Sequence, residues 1–203
     1  MKKKRIIAAM VLALCALTSA WMLCFQTSAK RPLNRYEESE PSDSRILEGA
    51  LRYVGTHPKY KSRYYHGGWP DDGYGTCTDV VGFALLSDGY DLREKLNEDV
   101  LAHPERYDIE TPDIDIDFRR VKNLIVYFEN NEEVLTKDLN DITAWQGGDI
   151  VIFRNHIGIV SDRRNAKGIP FVIHHASPLQ LRYEEDILEG RNDLVLHVRI
   201  RES

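Results

Sequence analysis

Cys77, His156, His174 and His175 are the residue types that nucleophilic catalysis uses, and their spacing decides whether they could work together. Cys77 heads an apolar stripe of Val80, Val81, Phe83, Ala84 and Leu85, which reads as a short helix ending near Asp88 and Gly89. A thiol at a helix N-terminus faces free amides and the positive end of the helix dipole. Both stabilise a thiolate, and the amides can donate to an oxyanion. Gly67, Gly68, Gly73 and Gly75 precede it and would let a substrate approach the backbone. A thiolate nucleophile needs a base within hydrogen-bond reach, usually a histidine oriented by a third polar group. His156 opens a strand predicted to run to Val160, and His174 and His175 end the next one. Side chains alternate across a strand, so these two point to opposite faces and only one can orient His156. Spacing leaves the choice open. The inert alternatives are a buried structural cysteine and histidines at strand ends.

Other residues invite chemistry less strongly. Asp79 falls in the first turn of the cysteine helix, where an acid is favourable with the dipole alone. Asp113, Asp115 and Asp117 have the alternate spacing of a calcium loop but lack its central glycine and terminal glutamate, so a solvated face is expected. Trp69 and Trp145 flank the glycine-rich loop and the Gly147-Gly148 turn, as groove walls or as packing. Cys77, His156 and His175 would also make a catalytic zinc set with an open position, although no closely spaced ligand pair supports it.

The elements that must position these residues follow from periodicity. Ile46, Leu47, Ala50, Leu51 and Val54 define a first helix, capped by Asp43 or Ser44. Residues 58–76 read as a loop, Asp91 caps a helix reaching about His103, and Phe118, Val121, Leu124, Ile125 and Phe128 mark another. After Trp145 come four strands: 149–153, 157–160, 171–175 and 194–200. Helices first and strands afterwards predict an α+β fold with an antiparallel sheet.

The N-terminus sets the compartment. Met1 to Arg5 is basic and residues 6–25 are an uncharged, largely apolar run, so residues 1–29 are expected to be an export signal. The run is long enough to remain as a membrane anchor, while Thr27-Ser28-Ala29 would suit a signal peptidase cut before Lys30. In both cases the basic flank stays inside and the rest is delivered to the periplasm or beyond. Residues 30–43 read as a polar linker, and residues 44–203 as one domain. Beyond residue 29 there are 23 basic and 32 acidic residues, a net charge of −9, which argues against nucleic acid as a partner. Cys15 and Cys24 lie inside the apolar run, leaving Cys77 without an intramolecular disulfide partner in the exported part.

Taken in order, Tyr64-Tyr65-His66-Gly67-Gly68, Gly75-Thr76-Cys77-Thr78 with Phe83, Gly148 to Phe153, His156 to Val160 and His175-Ala176-Ser177 resemble the motifs of the NlpC-type cell-wall cysteine peptidases, whose superfamily includes the CHAP-type amidases. The resemblance spans about residues 44–203 and lies in motif order. It implies a papain-like α+β fold, Cys77 as nucleophile, His156 as base, His175 as the third polar residue and Tyr64 near the oxyanion. It also implies hydrolysis of an amide bond in peptidoglycan stem peptides without a cofactor. Two departures stand out: Thr76-Cys77-Thr78-Asp79 replaces the usual Asp-Cys-Ser, and residues 88–144 form a longer, helical insertion. A domain that binds cell wall without turnover is the non-catalytic alternative.

Overall fold

The computed structural model describes residues 44–201, so the expected signal or anchor and the linker both lie outside the described residues. Helix α1 (Arg45–Val54) starts where Ser44 Oγ accepts from the Leu47 amide at 3.3 Å, and buries Ile46, Leu47, Ala50 and Val54. It packs on α2 (Cys77–Ser87), whose Val80, Val81, Ala84 and Leu85 are fully buried. Gly49 permits this close approach, since a Cβ there would lie 1.9 Å from Ser87 Oγ. Between the two helices the loop forms a small parallel pair, β1 (Lys59–Tyr60) with β2 (Tyr74–Gly75).

Residues 88–144 are helical as expected, with α3 (Leu92–Ala102) and α4 (Val121–Asn131), but they are not an appendage. Asp91 caps α3 by accepting from the Arg93 and Glu94 amides. Leu92, Leu96, Val100, Phe118, Leu124 and Phe128 belong to the same core as α1 and α2. Each such side chain removed from water stabilises the fold by about 1.5–3 kcal/mol, so this segment is integral to the domain. It includes β3 (Glu133–Val134), which pairs with the last strand.

The remaining strands are β4 (Ile150–Phe153), β5 (His156–Arg164), β6 (Pro170–Ile173), β7 (Glu184–Glu185) and β8 (Leu194–Arg199). They form an antiparallel six-stranded sheet in the order β3-β8-β4-β5-β6-β7. The fold is therefore α+β with an antiparallel sheet. β6 stops at Ile173, two residues before the predicted end, so His174 and His175 stand just beyond it.

Both faces of this sheet are covered, and that decides where each histidine points. Ile150, Ile152, Ile157, Ile159, Ile173, Leu196 and Val198 face the helices. Val151, Phe153, Val160 and Val172 face a second, smaller core with Trp145, Ile169 and Leu188. Trp145 is thus packing rather than groove wall, lying flat on His197 with ring centroids 3.9 Å apart. Trp69 is also packed, against Phe83 and Phe118. Among the described residues no helix is long and apolar enough to cross a membrane.

Candidate active site

Cys77 is the first residue of α2, as its sequence position predicts, and is half-buried with a free thiol. Two residues on, Asp79 accepts from the Thr76 amide at 2.7 Å and from Thr76 Oγ1 at 3.0 Å, closing the helix start. Asp79 is completely buried and does more than meet the helix dipole. Arg119 grips it from two nitrogens, Nε at 2.7 Å and Nη2 at 2.8 Å, and donates to the Arg63 carbonyl at 2.6 Å. The guanidinium also lies over the Tyr65 ring, 5.0 Å from its centroid. This bidentate pair ties the 117–119 turn and the loop before Cys77 to the helix N-terminus. Nothing local in the sequence signals Arg119, which lies forty positions from its partner.

Main-chain amides of Ile157, Thr78 and Cys77 itself bear on the sulfur and favour its thiolate. The sequence reading expects them to depress the thiol pKa, and the structure corrects this. Burial is the largest influence and the Asp79 charge adds to it, so the thiol is pushed up to about 11. At neutral pH Cys77 is a protonated thiol that must lose its proton as it attacks.

The histidines separate by strand parity. In β5 Ile157 and Ile159 face the helices, so His156 and Gly158 face the second core. Accordingly the His156 ring lies beside Phe153, and a Cβ on Gly158 would meet Val172 at 2.5 Å. His174 joins His156 there: Nε2 of His156 and Nδ1 of His174 are 3.0 Å apart, with the rings edge to face. Burial drives both pKa values down, to about 4 for His156 and about 3 for His174. The structure thus does not bring the His156 ring to Cys77. Its partner is His174, on the face away from the thiol.

His175 takes the opposite face. It follows Ile173 in parity and sits edge-on to both Tyr60 and Tyr183, each 5.1 Å between centroids. Tyr60 in turn has its phenol pKa raised by burial and, to a lesser extent, by neighbouring Cys77. The Tyr183 hydroxyl donates to the Pro58 carbonyl at 2.8 Å and pins the ring against the β1 ribbon. His175 is 2 % exposed, and its Nδ1 has no hydrogen-bond partner. Burial lowers its pKa, partly offset by Asp79, so the ring is neutral and able to accept a proton.

Tyr64 is corrected outward. It is half-exposed, donates to Asp113 at 3.3 Å and stands edge-on to His66. Tyr60 and Tyr183 are the tyrosines beside His175. The acidic run is not simply solvated either: Asp115 accepts from Arg93 at 2.7 Å and from the Gly67 amide at 3.0 Å, and Asp117 is buried. These bonds lock the glycine loop. Among the described residues no three His, Cys, Asp or Glu side chains converge on a point where a metal could bind, and His156 lies across the sheet from Cys77, so the zinc set of Cys77, His156 and His175 does not form.

Comparison with known proteins adds a family. The model of a family described as a domain of unknown function (DUF1287) matches residues 47–200. A relative in Escherichia coli, the uncharacterized protein YijF, is 35% identical over 156 residues, covering 70% of this chain and 75% of that protein. No solved structure matches.

Proposed function

The chain belongs to the DUF1287 family, and we propose that it is a papain-like cysteine hydrolase in which Cys77 is the nucleophile and His175 the general base. One observation carries this reading: a buried His175 with an unbonded Nδ1 lies on the helical face of the sheet, on the same side as the thiol at the α2 N-terminus, with Tyr60 against its ring. A helix-terminal thiol packed on an antiparallel sheet supports the papain-like reading.

The chemistry starts from a neutral pair. His175 accepts the thiol proton as the sulfur bonds to the carbonyl carbon of an amide. The oxyanion that forms is held by the Thr78 and Ile157 amides, which already bear on the sulfur. The imidazolium then protonates the leaving nitrogen as the carbon–nitrogen bond breaks. Water adds to the thioester, His175 takes its proton, and the carboxylic acid leaves with the thiol restored. A positioned base contributes about 10²–10⁴-fold, and an oxyanion donor about 10²–10³-fold. The substrate we propose, which the resemblance to the cell-wall peptidases implies, is an amide in peptidoglycan stem peptides, met outside the cytoplasm after export.

The test incubates the full chain with stem-peptide fragments and reads new amines and carboxylates by mass spectrometry. Cleavage is expected from the native protein, with a loss of about 10³-fold or more in Cys77→Ala and His175→Asn, the scale on which catalytic groups act as a unit. Undiminished turnover in Cys77→Ala sinks the reading. So does wall-fragment binding by the native protein with no product, which would make this a binding domain.

A further inference from the structure

The chain beyond residue 29 is acidic, yet the stretch that leads to the nucleophile is not. Residues 49–70 contain Arg52, Lys59, Lys61 and Arg63 and no aspartate or glutamate. Three of these cations fall on or beside the β1–β2 ribbon, whose second strand runs through Thr76 into Cys77. Lys59 donates its amide to the Gly73 carbonyl at 2.8 Å, and Lys61 donates to the Gly75 carbonyl at 3.1 Å. The basic strand is thus bonded to the residue two positions before the nucleophile.

Register decides what each face of the ribbon carries. Tyr60 pairs with Gly75 and Lys59 with Tyr74, and paired residues share a face. The Tyr60 face turns inward to His175, with ring centroids 5.1 Å apart. The other face presents Lys59, Lys61 and Tyr74, with Lys61 Nζ 5.5 Å and the Arg63 guanidinium 4.6 Å from the Tyr74 ring centroid. Asp72 is taken by Arg63, and also accepts from the Tyr65 hydroxyl at 2.9 Å and the Tyr74 amide at 3.2 Å. Asp71, exposed on the same loop, offsets part of the remaining charge. Among the described residues neither Lys59 nor Lys61 has an ion pair, and both are exposed. Neighbouring cations without a counter-charge raise the local potential and attract an anion. The ribbon is one strand spacing of about 4.8 Å across, and a lysine on its flexible four-carbon stem reaches over that edge.

We propose that Lys59 and Lys61 are specificity-determining residues that hold a carboxylate of the substrate beside the amide attacked by Cys77, so that acidic peptides are the preferred substrates. The inference rests on the hydrolase reading, and narrows its substrate to chains with a free carboxylate near the scissile amide.

The experiment gives the full chain stem-peptide fragments in two forms, with their carboxylates free or converted to amides. Turnover is followed with the native protein, and binding with Cys77→Ala, each with and without the lysine substitutions. The free-acid form is expected to have a kcat/KM about 5- to 10-fold higher, mostly through KM, and the preference should shrink as salt is raised. Lys59→Gln combined with Lys61→Gln should treat the two forms alike, and Lys61→Glu should favour the amidated one. Both lysines are exposed and outside the core, so these substitutions leave the fold intact. Arg52→Gln removes a charge from the same stretch of sequence but from α1 rather than the ribbon, and should keep the preference. Equal cleavage of the two forms by the native protein overturns the proposal. So does a preference that survives the double lysine substitution, or one that Arg52→Gln removes equally. If the native protein cleaves neither form while Cys77→Ala binds the free acid more tightly in a lysine-dependent way, the hydrolase reading fails and the carboxylate site stands.

Discussion

His175 and His197 are both buried histidines of one sheet, and they are finished differently. His197 has Nδ1 on the Thr136 carbonyl at 2.7 Å, Nε2 on Asp149 at 3.0 Å, and its ring flat on Trp145. Every polar atom is used, and Asp149 is completed by Arg199 at 2.7 and 2.8 Å and by the Gln146 amide at 2.8 Å. His175 has aromatic neighbours but leaves Nδ1 unbonded in a buried position. Leaving a buried polar atom unpaired costs about 1–3 kcal/mol. A fold tolerates that where the atom has a partner to wait for, so bonding separates the structural histidine from the chemical one where burial does not.

The same contrast applies to the two buried carboxylates, and it gives the largest expected effect. Asp79 meets Arg119, itself buried, beside the Thr76 amide and hydroxyl, whereas Asp149 meets a partly exposed Arg199 and hydrogen-bonds the His197 ring and the Gln146 amide. Arg119→Met should destabilise the fold by about 3–5 kcal/mol, because it strands a buried charge. Arg199→Met should cost less than half of that, since His197 and the Gln146 amide remain. Chemical denaturation of both variants measures the difference. Equal losses would mean that the Thr76 amide and hydroxyl sustain Asp79 as fully as His197 and the Gln146 amide sustain Asp149, and would remove the clamp on the Cys77 loop.

Next in size is the pair of histidine truncations. His197→Ala removes a stacked ring and two hydrogen bonds, and should lower stability by about 2–4 kcal/mol. His175→Ala should cost about 1 kcal/mol or less beyond the lost ring contacts, because no hydrogen bond at Nδ1 is broken. Turnover should follow the reverse order, with His175→Ala inactive and His197→Ala active whenever folded. Thermal melts beside turnover assays check this, and a His175 variant that is active but unstable would exchange the two roles.

Much of this arrangement was readable beforehand, and the unreadable part has a physical cause. The α3 start is written in Asp91, and the helix led by Cys77 in its apolar stripe. The face chosen by His156 is not written. β4 is buried at all four positions, Ile150 to Phe153, so no polar alternation marks which side carries the helices. Without that mark, His156 and His175 look equally able to meet Cys77, and Tyr64 looks as near as Tyr60. Arg119 is invisible for a related reason: its partner is set by the docking of the 88–144 segment into the core, not by local pattern.

The smallest expected effect concerns acid, and it tests the His156–His174 pair directly. Both rings are neutral in the fold, with pKa values of about 4 and about 3, against an ordinary value of 6.5. Lowered folded pKa values mean that the unfolded chain binds protons first as pH falls. Stability is therefore complete above about pH 6.5 and declines below it, until the rings protonate in the fold near pH 4 and 3. Each ring gives a slope of about 1.4 kcal/mol per pH unit inside that window, or roughly 2 kcal/mol per ring at pH 5. His174→Gln retains polar contact with His156 but cannot titrate, so it should halve the pair's part of the loss between pH 7 and pH 5. Urea unfolding at the two values measures it against the native protein, whose carboxylates supply a common background. An unchanged loss in the variant would mean that His174 already carries a proton in the fold, which would reverse the donor direction towards His156.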